Sequence, residues 1–496
     1  MAAFKNEFND IQKLMEMYQE SQKTINSLVA TIAELREVIA DQAEEIRKLN
    51  ESLRKDSHNS SKPPASDGLK KKPAPKSLRE KNGKKQGGQT SHPGTNLKFM
   101  KADKIVPLMP SKCAGCPNYQ VCQARFCNEQ SSRRQVVDVV VAPKVTEYRQ
   151  AIIPDCPMHH DCRYGEFPEN VTGNIQYGEN LQALAVSLVT IGAVSYDRVH
   201  EILGSIFGIP LSTGTIATMT SRVADNLTHT YEDIKAQIIK AYLAHFDETG
   251  TRVEGLTHWV HVACDSWYTY LYVDRKRGKK AMITGGILPE FTGIAVHDCW
   301  ASYWNFSPTD HAVCCQHLLR ELVGVSENYE NQTWSKDFFD LLRTMLSTKI
   351  KLQKKGHMEA SYYYRHKYSD EYDALIERAY KENPEPEQTT GKRGRKKRGK
   401  VLSLIDRLKN YKASVCLFFE NFKVPFTNNM AEQAIRIIKV KTKVSGCFRA
   451  MDGAKNYLKI MSYVGTVKKQ GYNTFDAMLN AVKGTPYNII MTVPAE

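Results

Sequence analysis

The stretch AHFDETGTRVEG, residues 244–255, places two adjacent acids, Asp247 and Glu248, after a short apolar run that starts at Ala241. Taken alone, such acids are more often turn formers than ligands. Their meaning therefore depends on whether the fold can bring other acids to the same point.

The residues after this stretch continue a recognisable order of elements. LAHFDETGTRVEG, THWVHVACDS and YTYLYVDRKR are β-like, KKAMITGGIL is helical, and TGIAVHDCW is a fourth apolar run that ends in Asp298. This order is that of a ribonuclease-H-like α/β core, in which the first and fourth strands are neighbours. Asp247 would then lie beside Asp298. Two such carboxylates repel each other unless a cation lies between them, and Mg²⁺ or Mn²⁺ suits hard oxygen ligands.

A third acid is expected from a helix packed beside those strands, and Glu432 is the best candidate. It follows Asn428 and Asn429, which are good helix caps, so it falls in a first helical turn. Three basic residues share its helix face and are predicted to contact DNA phosphates: Arg436, Lys439 and Lys443. The alternative is an ordinary solvated charged face. Glu420 and Asp452 are the next candidates for the third acid.

The net charge of +15 on 496 residues is concentrated in two segments. Residues 51–100 carry 12 Lys/Arg against 4 Asp/Glu, and residues 391–400 carry seven basic residues and no acid. Together these segments account for the whole excess, which predicts a polyanionic partner, foremost double-stranded DNA. Solubilising linkers are the alternative. The predicted DNA contacts in the two segments are Lys70, Lys71, Lys72, Arg393 and Arg395.

Residues 11–53 carry a heptad pattern of apolar residues. One position holds Ile25, Ile32, Ile39, Ile46 and Leu53, and the other holds Leu28, Leu35 and Leu49 with Gln42 as an interruption. Ile at the first position and Leu at the second favour a parallel two-stranded coiled coil, and hence a homodimer. Packing of this helix within a single chain is the alternative.

Six of the twelve cysteines fall between Cys113 and Cys162. Cys113 and Cys116 form a CxxC pair, and Cys156 and Cys162 follow two strand-like stretches, 134–143 and 145–153. Two Cys pairs flanking a hairpin predict a structural Zn²⁺ site in a small β module. Other residues compete for the same role: Cys122, Cys127, His159 and His160.

Residues 178–226 are predicted to be helical. SYDRVHEILGSIFG, the turn IPLS and TGTIATMTSRVA have helix-turn-helix spacing, and Ser212 or Thr213 could cap the second helix. Any pair of packed helices can have this spacing.

The N-terminus lacks a signal-peptide core and the chain has no membrane-length apolar run, so we expect a cytoplasmic protein with no membrane partner.

The motifs FDETG, VHDCW, NNMAEQAIR, SGCFR, NSSKPPASD and GQTSHPGTNL together resemble the insertion-sequence-sixty-six family of bacterial transposases. The resemblance implies that Asp247, Asp298 and Glu432 are an Asp-Asp-Glu catalytic set. CCQHLLREL resembles the family's Cys-x-x-His-x-x-Arg stretch, here Cys314 or Cys315, His317 and Arg320. The sequence CPMHHDC departs from the compact Cys pair that usually closes the family's zinc module.

The expected chain is therefore a multidomain α+β protein. Its predicted segments are a coiled coil (1–53), a basic disordered linker (54–109), a zinc-binding module (110–170), a helix-turn-helix-like DNA-binding region (171–235), the first part of the catalytic core (236–325), a helical insertion (326–420) and the Glu432-bearing remainder of the core (421–496). The expected function is two-metal DNA cleavage and strand transfer at an element's terminal repeats, with small accessory proteins of the same element as further candidate partners. A nuclease without strand transfer and a non-catalytic coiled-coil/zinc DNA-binding regulator are the alternatives.

Overall fold

The computed structural model describes residues 2–54, 59–60, 99–105, 113, 116–117, 134–137, 142–151, 165–307, 309–385 and 399–490. Several predicted site residues lie outside these ranges and stay predictions: Lys70, Lys71, Lys72, Arg393, Arg395, Cys156 and Cys162. The competing zinc ligands Cys122, Cys127, His159 and His160 also lie outside them.

The chain divides into two compact units, of which the smaller comprises Lys76–Gln176 and His200–Leu211. Cys113 and Cys116 form a turn in which the Cys116 N–H donates to the Cys113 carbonyl at 3.2 Å. The strand-like stretches expected nearby are irregular at residues 134–137 and 142–151, so the hairpin prediction is wrong for these residues. Val136 and Val145 are 96% and 86% exposed, so these two described residues contribute no buried apolar face that would hold a sheet together.

The larger unit contains a five-stranded mixed sheet whose order is β3-β2-β1-β4-β5. The strands are β1 (Leu243–Val253), β2 (Leu256–Cys264), β3 (Thr269–Asp274), β4 (Ile294–His297) and β5 (Asp310–Val313). β1 pairs antiparallel with β2 and parallel with β4. The four predicted strands are therefore confirmed. The prediction that the first and fourth strands are neighbours in the sheet is also confirmed.

The fifth strand was not predicted, because helices were expected from Asp310 onward. β5 pairs in parallel with β4, from Ile294 opposite Asp310 to His297 opposite Val313. β5 has only four residues, and so short a run cannot show whether its apolar residues repeat with the period of a strand or of a helix. From Cys315 onward the helical prediction is confirmed.

The helices vary from 7 to 53 residues in length. They are α1 (Ala2–Arg54), α2 (Glu179–Thr190), α3 (Tyr196–Phe207), α4 (Thr213–Asn226), α5 (Thr228–Ile239), α6 (Lys279–Gly285), α7 (Cys315–Asn328), α8 (Thr333–Lys354), α9 (Tyr362–Glu382), α10 (Gly399–Asn410), α11 (Lys412–Glu420), α12 (Asn429–Ser445), α13 (Met451–Lys469) and α14 (Thr474–Val482).

The helix predicted from the heptad pattern is confirmed as α1. The apolar residues at its two heptad positions, which form its apolar seam, are exposed to solvent. Ile32 and Leu35 are 50% and 55% exposed, and Leu53 is 77% exposed. Pairing of two such helices remains a prediction. At the start of α4, the predicted cap is also confirmed, because Ser212 Oγ accepts a hydrogen bond from the Thr215 N–H at 3.0 Å.

The helices that pack on the sheet include one that precedes the strands in the sequence and several that follow them. α12 packs on β1 and β2, α13 and α5 pack on β3, and α11 packs on β5. The strands' inner residues are correspondingly buried, and all four residues of β4 are inaccessible to solvent or nearly so. Within the described ranges, no helix combines the length and hydropathy needed to cross a membrane.

Candidate active site

Strand β1 presents Asp247 to helix α12. Successive side chains on a strand point to opposite faces of the sheet, so His245, Asp247 and Thr251 share a face. His245 and Thr251 both hydrogen bond to α12 or its cap residue, His245 to Asn428 and Thr251 to Thr442. Asp247 therefore faces the same helix, half-buried between these two contacts.

Asp298 comes directly after β4, the strand beside β1. The parallel pairing of the two strands ends with His245 opposite Val296. Asp298 Oδ1 accepts a hydrogen bond from the Trp300 N–H at 3.1 Å, which orients the carboxylate at the strand's end. Asp298, at the end of β4, thus comes level with Asp247, which lies two residues beyond the last β1 residue paired with β4.

Helix α12 is attached to β1 at its start by Asn428. Asn428 was predicted as a cap and occupies the N-cap position, but its side chain makes no capping hydrogen bond. The amide is 1% exposed; its Nδ2 donates to the Phe246 carbonyl at 2.7 Å, and its Oδ1 lies 2.8 Å from His245 Nδ1. These partners on β1 satisfy the buried amide, so the prediction of a capping side chain is wrong.

The other end of α12 is also attached to β1. The Phe448 N–H donates to the Arg252 carbonyl, and the Phe448 carbonyl accepts from the Glu254 N–H, each at 2.9 Å. Between the two ends, Thr251 Oγ1 and Thr442 Oγ1 are 3.1 Å apart. The segment therefore lies along β1, with contacts just before α12, in its last turn and just after its end.

Glu432 lies in the first turn of α12, as predicted. Its Oε1 is 3.9 Å from Nε2 of His317, a residue of α7. Lys439 is half-buried, whereas Arg436 and Lys443 are exposed. One continuous helix thus carries the acid and all three basic residues that were predicted to share its face.

Burial and neighbouring carboxylates raise the pKa values of Asp247 and Asp298. Burial first, and then the charges of Glu248, Asp298 and Glu432, together raise the pKa of Asp247 to about 7. The pKa of Asp298 is also raised, by burial first and by Glu248 second, while the cations of His317 and Arg277 oppose the rise. Asp247, Asp298 and Glu432 are therefore brought to a single electrostatic site.

A cysteine and a histidine adjoin this site at the start of α7. Of the two adjacent cysteines, Cys314 is the one that lies close to His317 and Glu432. It is fully buried, as is Cys315. Burial lowers the pKa of His317, but Cys314, Glu432 and Asp298 outweigh that effect and raise it to about 9. The imidazole is consequently a cation at neutral pH, facing the acids.

Glu248 faces the opposite side of the sheet from Asp247 and has both oxygens occupied. Arg277 donates to Oε1 from Nε at 2.9 Å and from Nη2 at 2.7 Å, and the Tyr303 hydroxyl donates to Oε2 at 2.6 Å. The guanidinium carbon lies 4.8 Å from the Trp259 ring centroid and 4.2 Å from that of Trp300. Sequence reasoning missed this network; Arg277 stood in a basic run, DRKRGKK, that gave no signal beyond charge.

Comparison with known protein families gives two matches. The family model described as "Family of unknown function (DUF6444)" matches residues 11–98. No curated protein matches the chain. The family model described as "Transposase IS66 family" matches residues 174–456, more than half of the chain, and spans Asp247, Asp298 and Glu432. The chain therefore belongs to the IS66 family of transposases.

Proposed function

We propose that this transposase cuts DNA at the terminal inverted repeats of an insertion sequence and joins the freed ends to target DNA by an Asp-Asp-Glu mechanism on a ribonuclease-H-like core. The observation that carries the proposal is the convergence of three acids from separate parts of the chain. Asp247 and Asp298 come from adjacent parallel strands, and Glu432 comes from the helix attached along β1.

The donor set suits a hard divalent cation. Asp247 is partly desolvated and lies among other carboxylates, and its burial first and their charges second raise its pKa to about 7. Carboxylate oxygens are the preferred ligands of Mg²⁺ and Mn²⁺, and a cation would relieve their repulsion. Asp247, Asp298 and Glu432 would hold it. When bound, such ions supply Lewis-acid activation of the scissile phosphate and of the attacking hydroxyl or water.

The chain's own residues bind and orient the DNA in this proposal. Arg436, Lys439 and Lys443 contact phosphates along α12, and the attachment of this helix to β1 sets their distance from Asp247. Arg277 and Tyr303 hold the Glu248 carboxylate, so that it does not compete with Asp247 for the cation.

The remaining parts of the chain complete the proposal. The open apolar seam of α1 supports a parallel homodimer that pairs two DNA ends. A structural Zn²⁺ bound by Cys113, Cys116, Cys156 and Cys162 would stabilise a small DNA-binding module. The pair α3 and α4 would read the terminal repeats, and Lys70, Lys71, Lys72, Arg393 and Arg395 would contact phosphates. Small accessory proteins of the same element are candidate partners, and the cytoplasm, where bacterial DNA lies, is the proposed location.

The proposal is tested with the purified full chain, Mg²⁺ and DNA that carries the element's ends. Asp247→Asn, Asp298→Asn and Glu432→Gln should each abolish cleavage and leave DNA binding within about twofold, because each removes one metal-binding charge and keeps the side-chain shape. Glu420→Gln and Asp452→Asn are matched controls at exposed acids and should cut normally. Cleavage by Glu432→Gln at the normal rate would refute the assignment of the third acid. Cut ends that never join to target DNA would instead indicate a nuclease without strand transfer.

A further inference from the structure

Three side chains of different chemistry meet where α7 and α12 begin. Cys314 precedes the first residue of α7, His317 lies in its first turn, and Glu432 lies in the first turn of α12. One ligand atom from each lies within 4.8 Å of the other two. A thiolate, an imidazole and a carboxylate form a typical donor set for Zn²⁺.

We propose that Cys314, His317 and Glu432 form a Zn²⁺ site, and that Zn²⁺ bound there withdraws Glu432 from Asp247 and Asp298 and inhibits DNA cleavage. The first half of this proposal stands on the three side chains alone. The second half rests on the proposed role of Glu432 in the reaction.

The separation of His317 and Glu432 requires only a small closing movement to bind one ion. His317 Nε2 is 3.9 Å from Glu432 Oε1, whereas two such ligands of a tetrahedral Zn²⁺ lie about 3.4 Å apart. The side chains of His317 and Glu432 are 18% and 24% exposed, so an ion can reach them from solvent. Among the residues that the structure describes, none is a hydrogen-bond partner of the buried His317 Nδ1, so this atom is open to a ligand.

Hydrogen bonds donated by backbone N–H groups hold the two helix starts together. The Asn428 N–H donates to Cys314 Sγ at 3.1 Å, and the Cys315 N–H donates to the Phe426 carbonyl at 3.0 Å. An N–H bond to sulfur is the kind of outer contact that orients a metal-bound thiolate. The ligands therefore belong to two helices whose relation is fixed, which lowers the cost of assembling the site.

The chemistry separates this site from the one formed by the aspartates. Mg²⁺ prefers oxygen ligands and retains water, whereas sulfur and imidazole ligands select Zn²⁺. Glu432 is the residue that the two sets share. A Zn²⁺ ion bound to Glu432 competes with Mg²⁺ for the charge and lone pairs of that carboxylate, so occupation of the first site weakens the second.

The binding test uses Co²⁺ in place of Zn²⁺, because a thiolate bound to Co²⁺ gives an absorption band that reports sulfur ligation. The full chain is freed of metal with a chelator and titrated with Co²⁺. The predicted zinc module also contributes thiolate bands, so the comparison is between variants. Cys314→Ser should bind one ion per chain fewer than the unchanged protein. Cys315→Ser is the matched control, since Cys315 is equally buried but its Sγ contacts the Val313 and Val415 carbonyls.

His317→Gln and Glu432→Gln provide independent variants in case Cys314→Ser does not fold, as judged by circular dichroism. Each should weaken the same binding step by at least about tenfold, because each removes a ligand. A full complement of ions bound with unchanged affinity in the folded variants would overturn the site.

Inhibition is measured as the Zn²⁺ concentration that halves each variant's own Mg²⁺-supported cleavage. Cys314→Ser should raise this concentration at least about tenfold, and Cys315→Ser should leave it unchanged. Equal inhibition of both would overturn the inhibitory role, even if the Co²⁺ titration supports binding. If Glu432→Gln still cuts DNA, the proposed catalytic role of Glu432 falls, while the Co²⁺ titration continues to decide on the metal site.

Discussion

Asp247→Asn should make the metal-free protein more stable at alkaline pH while it abolishes cleavage. Burial and neighbouring carboxylates raise the pKa of Asp247 from 3.8 to about 7 in the folded chain. The folded state therefore binds this proton more tightly than the unfolded state does. The stability associated with it is fully present below about pH 4 and is lost as the pH rises to about 7.

The size of the effect follows from the two pKa values. A difference of one pKa unit corresponds to about 1.4 kcal/mol, so the ionised carboxylate costs the fold about 4 kcal/mol at most at pH 8. Asp247 keeps some contact with solvent, which reduces the expected gain in the variant to about 2–4 kcal/mol. An Asn side chain has the same shape, and its Oδ1 can still accept from the Glu248 N–H, a bond of 2.9 Å in the unchanged chain.

The assay is thermal unfolding of the full chain with a chelator present, at pH 4 and at pH 8. We expect the melting temperature of Asp247→Asn to exceed that of the unchanged protein by several degrees at pH 8 and to match it at pH 4. Saturating Mg²⁺ should reduce the difference in melting temperature at pH 8, since it stabilises only the protein that binds it. Glu248→Gln is the control and should destabilise, because it weakens the contacts with Arg277 and Tyr303. An equal difference at both pH values would refute the electrostatic reasoning.

Three further outcomes are expected. Asn428→Ala should lower the free energy of unfolding by about 2–4 kcal/mol, measured by urea denaturation, because it leaves buried partners on β1 unsatisfied; a loss below 0.5 kcal/mol would contradict that. Lys439→Ala and Lys443→Ala should each flatten the log–log salt dependence of DNA binding by about 0.9, and unchanged slopes would remove them from the phosphate contacts. Ile32→Lys with Ile39→Lys should convert a dimer into a monomer in sedimentation, whereas a persisting dimer would place the interface outside α1.

The order of elements around Asp247 could be predicted because local sequence carries it. Three consecutive β-like runs identified β1 to β3, and the fourth apolar run ended in an acid, so the closeness of Asp247 and Asp298 followed from topology. The Val-rich stretches before Cys156 carry the same β propensity, yet their described residues are irregular, since propensity counts only when a face is buried. The four residues of β5 were too few to show any period.

The contacts that complete the site could not be predicted, because they join residues remote in sequence. Asn428 finds its partners on β1 182 and 183 residues away, and an Asn before a helix is equally suited to capping. Arg277 and Glu248 are 29 residues apart and meet across the sheet. Which of two adjacent cysteines approaches Glu432 depends on the rotation of α7, and the sequence CCQH leaves both open.

The attachment of α12 to β1 at both ends fixes the length of chain that can connect them. One residue inserted within Asn429–Ser445 would turn everything after it by about 100° and advance it by about 1.5 Å. Either Glu432 or the Phe448 pairing with Arg252 would then be out of register. The loop at residues 355–361 joins α8 to α9, and among the described residues a single backbone hydrogen bond, from the Phe422 N–H to the Met358 carbonyl, ties it to the chain beyond these two helices. Natural variants of this chain should therefore differ in length at that loop and keep the number of residues between Asn428 and Phe448 constant.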